Sequence, residues 1–167
     1  RQILSWCWQS DPQPVSMVRF PCWALDMSPR DAYRGVFYGF PMLGPDVPNP
    51  GFKIALHWPD EPCDPDRVDR EPREADERVV RAALRDHFPA VGEHAPLLAL
   101  RVCVYTNTPD GHFIIDRHPG HENVAIACGF SGHGFKFASV VGEVLADLAT
   151  SGTSTNPIQF LGLERFR

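Results

Sequence analysis

The chain has 167 residues, 43% of them hydrophobic and 22% charged, enough for a sizeable core and ordinary for a soluble globular protein. A formal net charge of -5 offers no basic field for a phosphate backbone, which argues against nucleic acid as a partner. No run approaches the roughly 18 apolar residues of a membrane-spanning helix, and no basic-then-apolar leader opens the chain.

The amino end, RQILSWCWQS, enters an expected strand without an initiating methionine and reads as the start of a fragment. Four strands are expected in the first sixty residues: ILSWCW, RFPCWALD, GVFYGFPML and GFKIALHW, separated by Pro, Asp and Gly clusters. Residues 59–73, PDEPCDPDRVDREPR, form a solvated connection. Residues 74–88 follow as a surface helix, with acidic residues first and an apolar stripe of Val79, Ala83 and Leu84. LLALRVCVYTNT, HFIIDRH and NVAIACGF are three further β-rich runs, and the periodic ASVVGEVLADLA is a second helix. The five cysteines, Cys7, Cys22, Cys63, Cys103 and Cys128, are odd in number and lack a CxxC pair. That usage fits reduced thiols in a cytoplasmic compartment.

Strand parity sorts the side chains. Phe52, Ile54, Leu56 and Trp58 share one face of the fourth strand, and Lys53, Ala55 and His57 share the other. Leu100, Val102 and Val104 oppose Arg101, Cys103 and Tyr105, so Cys103 points away from the aliphatic face. Val36, Tyr38 and Phe40 align on a neighbouring strand.

The stretch GFSGHGFKF, residues 129–137, places glycines at 129, 132 and 134 where a helix is expected to begin. Two catalytic motifs fail there. A nucleophile elbow needs glycine two residues past Ser131 but meets His133, and a Gly-x-Gly-x-x-Gly fingerprint starting at Gly132 ends in Phe137. What remains is a strand, a glycine-rich turn and a helix start whose free N–H groups favour negative charge. The same spacing also describes a tight strand-to-helix turn capped by Ser131. Lys136 sits at the positive end of that helix, where a nearby anion would offset its charge. His112, His118 and His121 with Asp116 lack a second ligand pair at helical spacing, so no metal site is expected.

The segments CVYTNTPDGHFIIDRHP and GFSGHGFKFASVVGEVLADLA, with VFYGFP and GFKIALH upstream, closely resemble the carboxyl-terminal half of the monomeric sarcosine oxidase and N-methyltryptophan oxidase family. These are FAD-dependent amine oxidases related to D-amino-acid oxidase. The resemblance covers nearly the whole chain. The dinucleotide fingerprint that the family carries at its front is absent here, in keeping with a fragment. The implied fold is α+β, with a mostly antiparallel or mixed sheet in residues 1–109 as a partial substrate domain. Residues 110–167 return to complete an FAD-binding α/β domain.

By position, the resemblance implies that Cys103 forms a covalent thioether to the 8α carbon of FAD and that Lys53 assists the reduction of oxygen. His57 and Tyr105 are implied as further catalytic positions, and Tyr38 shapes the substrate cavity. Lys136 pairs with the substrate carboxylate. Gly129, Phe130, Ser131, Gly132, His133, Gly134 and Lys136 approach the flavin, where the glycines admit main chain to the pyrimidine edge. The implied reaction passes a hydride from a secondary N-methyl amine to FAD, giving an imine that water hydrolyses. Reduced flavin then gives two electrons to oxygen and hydrogen peroxide forms. The implied protein is a monomer acting on a small-molecule amine and oxygen, without nucleic acid or membrane. A dehydrogenase, an oxidase of another amine, and a non-catalytic β-rich module retaining the fold stay open as alternatives.

Overall fold

The computed structural model describes residues 1–27, 35–57 and 62–167. The chain divides into two compact units, Arg1–Val104 and Tyr105–Arg167. Both combine helices with antiparallel strands, as the α+β expectation requires.

The first unit holds a five-stranded sheet made of β1 (Gln2–Cys7), β2 (Trp23–Met27), β3 (Gly35–Leu43), β4 (Gly51–His57) and β5 (Leu97–Cys103), in the order β2-β3-β4-β1-β5. Every pairing in it is antiparallel. Register decides which residues share a face, because directly paired residues point the same way. Phe52, Ile54, Phe37, Ser5 and Cys7 point to the core face and are buried. The four apolar ones join a hydrophobic cluster with Val80, Ala83 and Leu84 of α1 (Glu74–His87) and with Phe88, while the Ser5 hydroxyl donates to the Ile54 carbonyl. Full burial of a side chain such as Phe52 or Leu84 contributes about 1.5–3 kcal/mol. The buried stripe of α1 runs through Val80, whereas the expected Val79 is only partly buried, a rotation of one position within the same face. Trp58 lies outside the described residues.

The helix is well specified locally. Glu74, Asp76 and Glu77 sit in its first turn and Arg85 and His87 in its last, complementing the dipole. Asp76 accepts from the Arg73 backbone N–H at 2.7 Å and takes both Nη groups of Arg1 at 2.9 and 2.8 Å, which fastens the start of β1 to the helix start. Arg81 pairs with Glu77 and donates to the carbonyls of Glu93 and Ala95, fixing the return toward β5.

The second unit is a hairpin of β6 (Ile114–His118) and β7 (His121–Cys128) with α2 (Ala138–Ser151). Val141, Val144 and Leu148 of the helix are buried with Phe113, Ile115 and Leu161. Helix α2 ends at Gly152, whose φ of +76° suits glycine. The helix begins at Ala138 rather than within the glycine stretch. A single 3₁₀ turn, Phe135–Phe137, stands between the bend and the helix. Described residues include no helix long and apolar enough to cross a membrane.

Candidate functional site

In the first unit the sheet face opposite the core gathers Lys53 and its neighbours. Trp6 and Phe40 flank Lys53 directly in register on β1 and β3. The Lys53 Nζ lies 5.5 Å from the Trp6 ring centroid, 5.3 Å from Tyr38 and 4.9 Å from Phe40. Aromatic faces attract a cation over such distances. Among the described residues no carboxylate pairs with this ammonium. Partial burial pushes Lys53 below the ordinary lysine range, opposed by the nearby Cys103 when that thiol is ionised. The Tyr38 ring meets His57 edge-on at 6.3 Å. Cys103 shares this face because it pairs with Gln2, is half-buried at the end of β5, and has only a weak contact of Sγ with the Val104 carbonyl at 3.8 Å. Lys53, Tyr38, His57 and Cys103 are thus on one sheet face. Trp6 and Phe40 complete that surface, and parity alone could not find them, since it takes the β1–β4 and β3–β4 registers to set them beside Lys53.

Tyr105 does not continue β5, which ends at Cys103. It belongs to the second unit, where its ring packs against Gly132. A Cβ built on Gly132 would lie 2.4 Å from Tyr105 Cε2, and one on Gly134 would lie 2.5 Å from Phe130 Cδ1. The two glycines therefore make room for rings of the chain itself. Gly129, Ser131 and Gly132 have φ of +62°, +48° and +76°, and Ser131 is the one described non-glycine residue in the left-handed region.

Ser131 is not a helix cap. Its Oγ accepts from the Thr108 N–H at 3.3 Å and donates to the Gly129 carbonyl at 3.3 Å, while its own N–H donates to the Thr106 carbonyl at 3.0 Å. His133 packs on Phe113 at 4.9 Å, and its Nε2 lies 3.0 Å from the Gly111 carbonyl. Lys136 is exposed, with Nζ donating to the His133 carbonyl at 2.8 Å. Asp116 is committed to the backbone N–H groups of Arg117 and Leu163, and no group of three or more His, Cys, Asp or Glu among the described residues could hold a metal.

Residues 12–148 match the family described as FAD dependent oxidoreductase. The chain belongs to that family. This FAD dependent oxidoreductase chain is 40% identical to the monomeric sarcosine oxidase of Bacillus sp. (strain NS-129), an alignment covering 99% of the chain and 40% of the relative. It is 36% identical to the N-methyl-L-tryptophan oxidase of Salmonella dublin over 99% of the chain and 42% of that relative. Among solved structures, the L-proline dehydrogenase of P. horikoshii superposes on 99% of the chain and 39% of its own, with a TM-score of 0.73 at 24% identity, a likeness of fold. The chain spans about 40% of the length of the curated relatives it matches.

The Lys53 face fits the family's cofactor in its chemistry. An ammonium without a carboxylate partner among the described residues stands among flat aromatic walls with a half-buried thiol near it. That set suits a planar ring that gains electrons.

Proposed function

We propose that this chain serves the FAD-dependent oxidation of a secondary N-methyl amino acid of the sarcosine type to an imine, with oxygen as the electron acceptor and hydrogen peroxide as product. The observation that carries this reading is Lys53, held over three aromatic rings, paired with no carboxylate among the described residues and with Cys103 near it. The names of its relatives support the substrate class. Flavin, when bound, supplies the electron-accepting and oxygen-reducing chemistry.

The chain's own residues supply orientation and charge. Lys53 presents a fixed cation that stabilises negative charge developing beside it, and its aromatic surroundings keep water from screening that charge. Cys103 is the thiol assigned to covalent attachment, half-buried on the same sheet face as Lys53. Tyr38 and His57, in contact on the same face, shape the place for the amine. In the second unit Lys136 is assigned to the substrate carboxylate. Its Nζ meets the His133 carbonyl and the Phe137 ring, and no carboxylate among the described residues pairs with it, so an anion can displace these contacts. In this reading Tyr105 and the Gly129–Gly134 bend lie beside the cofactor; the Ser131 and His133 N–H groups are spent on the Thr106 and Phe130 carbonyls, which leaves the other N–H groups of the bend for a ligand.

The full-length protein should be yellow and stay yellow after acid precipitation, and it should release peroxide with sarcosine. Lys53→Met should slow reoxidation far more than reduction by substrate in stopped-flow absorbance. Acid-releasable colour would remove Cys103 from its role, and equal slowing of both half-reactions would remove Lys53 from its own.

A further inference from the structure

The Gly129–Gly134 bend does not support itself. Three of its residues lie in the left-handed region, and its internal hydrogen bonds are limited to the His133 N–H on the Phe130 carbonyl at 3.0 Å and Ser131 Oγ on Gly129. Other contacts come from the 106–113 loop. Thr106 accepts from the Ser131 N–H, Thr108 donates its N–H to Ser131 Oγ, the Thr108 methyl packs on Gly129, and the Gly111 carbonyl meets the His133 ring. That loop is organised on Asp110, whose Oδ1 accepts from Thr108 Oγ1 at 3.0 Å and the His112 N–H at 3.1 Å.

Asp110 in turn is held by Arg165 of the carboxyl-terminal 3₁₀ turn, Leu163–Phe166. Nε donates to Oδ2 at 2.7 Å and Nη2 to Oδ1 at 3.3 Å. Nη2 also donates to the Phe113 carbonyl at 2.8 Å, and Nη1 to those of Leu161 and Gly162 at 2.7 and 2.9 Å. One guanidinium thus ties the terminal turn to both ends of the 110–113 segment. The hydrogen bonds from Arg165 hold the Asp110 carboxyl well below the usual carboxylate range, so this contact is ionic at neutral pH. A planar five-donor fork is required to reach these acceptors together, which a lysine cannot do.

We propose that Arg165 is a positioning residue for the glycine bend, acting through Asp110 and the 106–113 loop to fix the geometry of main chain assigned to the cofactor. The proposal rests on the functional reading above for what the bend contacts, but not for how the bend is held.

Backbone hydrogen exchange by NMR on the flavin-free 167-residue chain tests it, comparing Arg165→Ala, Arg165→Lys and Glu164→Ala. In Arg165→Ala the Ser131 and His133 amides should exchange at least about tenfold faster, while Val144 and Leu148 of α2 stay within about threefold of the parent chain. Arg165→Lys should restore little, and Glu164→Ala, which leaves the fork intact, should change neither set. Asp110→Asn added to Arg165→Ala should give less than about a further twofold, since the two act in one chain of contacts. Unchanged bend amides overturn the proposal, and so do bend and α2 amides that accelerate together, which would mean a generally weakened unit. Because no flavin is present, failure here leaves the functional reading intact, and failure of covalent attachment or peroxide release leaves this result intact.

Discussion

Gly39→Ala places a methyl group where the first unit has no room. Gly39 of β3 pairs with Ile54 of β4 on one side and Trp23 of β2 on the other. A Cβ there would lie 1.9 Å from the Lys53 carbonyl oxygen, 2.9 Å from its carbonyl carbon and 2.7 Å from Trp23 Cζ2. Non-bonded carbons settle near about 3.5 Å, so β3 and β4 must part by more than about 1 Å at this point. A backbone oxygen cannot turn aside as a side chain can. Relief therefore loosens the ladder beside Lys53 and disturbs Trp23, which stacks on Phe52 at 5.7 Å and leans on Phe88 at 4.5 Å. Overpacking costs about 1–3 kcal/mol and a weakened ladder hydrogen bond about 1 more, while the stiffer unfolded chain returns about 0.4–1, leaving a net loss of about 1–3.5 kcal/mol. All four tryptophans lie within residues 1–104, so tryptophan fluorescence in a urea titration follows this unit alone. With a slope of about 1.5 kcal/mol per molar urea, the midpoint should fall by about 0.7–2.3 M. A shift below about 0.3 M would show that the strand absorbs the methyl without cost and that the packing at Gly39 is not what fixes the Lys53 backbone.

Two further outcomes bear on the same core. Trp23→Phe removes a buried indole Nε1–H that has no hydrogen-bond partner among the described residues, so the change should cost less than about 1 kcal/mol in the same titration despite the lost ring volume; a loss above about 3 kcal/mol would mean that the indole nitrogen is satisfied. Burial, opposed by Arg81 and aided by Glu77, raises the Cys7 thiol from 9.0 to about 11. A raised folded value contributes stability that is whole below pH 9.0 and is lost as pH rises through about 11, so stability should drop by up to about 3 kcal/mol across that window. Cys7→Ala should flatten the drop, and an identical slope in the variant would trace it to another group.

The elements were legible because their physical signals are local. The alternation in GVFYGFPML and GFKIALH gave β3 and β4, with Lys53 and His57 on the face opposite Phe52 and Ile54. The acidic opening of 74–88 gave α1, although the stripe settled on Val80 rather than Val79. Tyr38 beside His57 followed from parity plus adjacency. Trp6 beside Lys53 did not, because nothing in RQILSWC announces that β1 inserts between β4 and β5, and that order brings Trp6 and Cys103 to the same face as Lys53. Non-local pairing of this kind is set by the whole sheet and leaves no mark in a short window.

The glycine stretch shows a different limit. Its composition correctly signals crowding and unusual φ, but a sequence cannot say which atoms do the crowding. At Gly132 and Gly134 they are the Tyr105 and Phe130 rings, and at Gly129 the Thr108 methyl. The bend is therefore shaped by its own chain, and that has a physical reason. Left-handed residues in succession are poorly populated without outside contacts, and a loop that had to be ordered by its ligand would spend binding energy on its own conformation. Rings and hydroxyls from the 105–113 segment supply that order in advance, so on the function proposed above no binding energy is spent on shaping the bend.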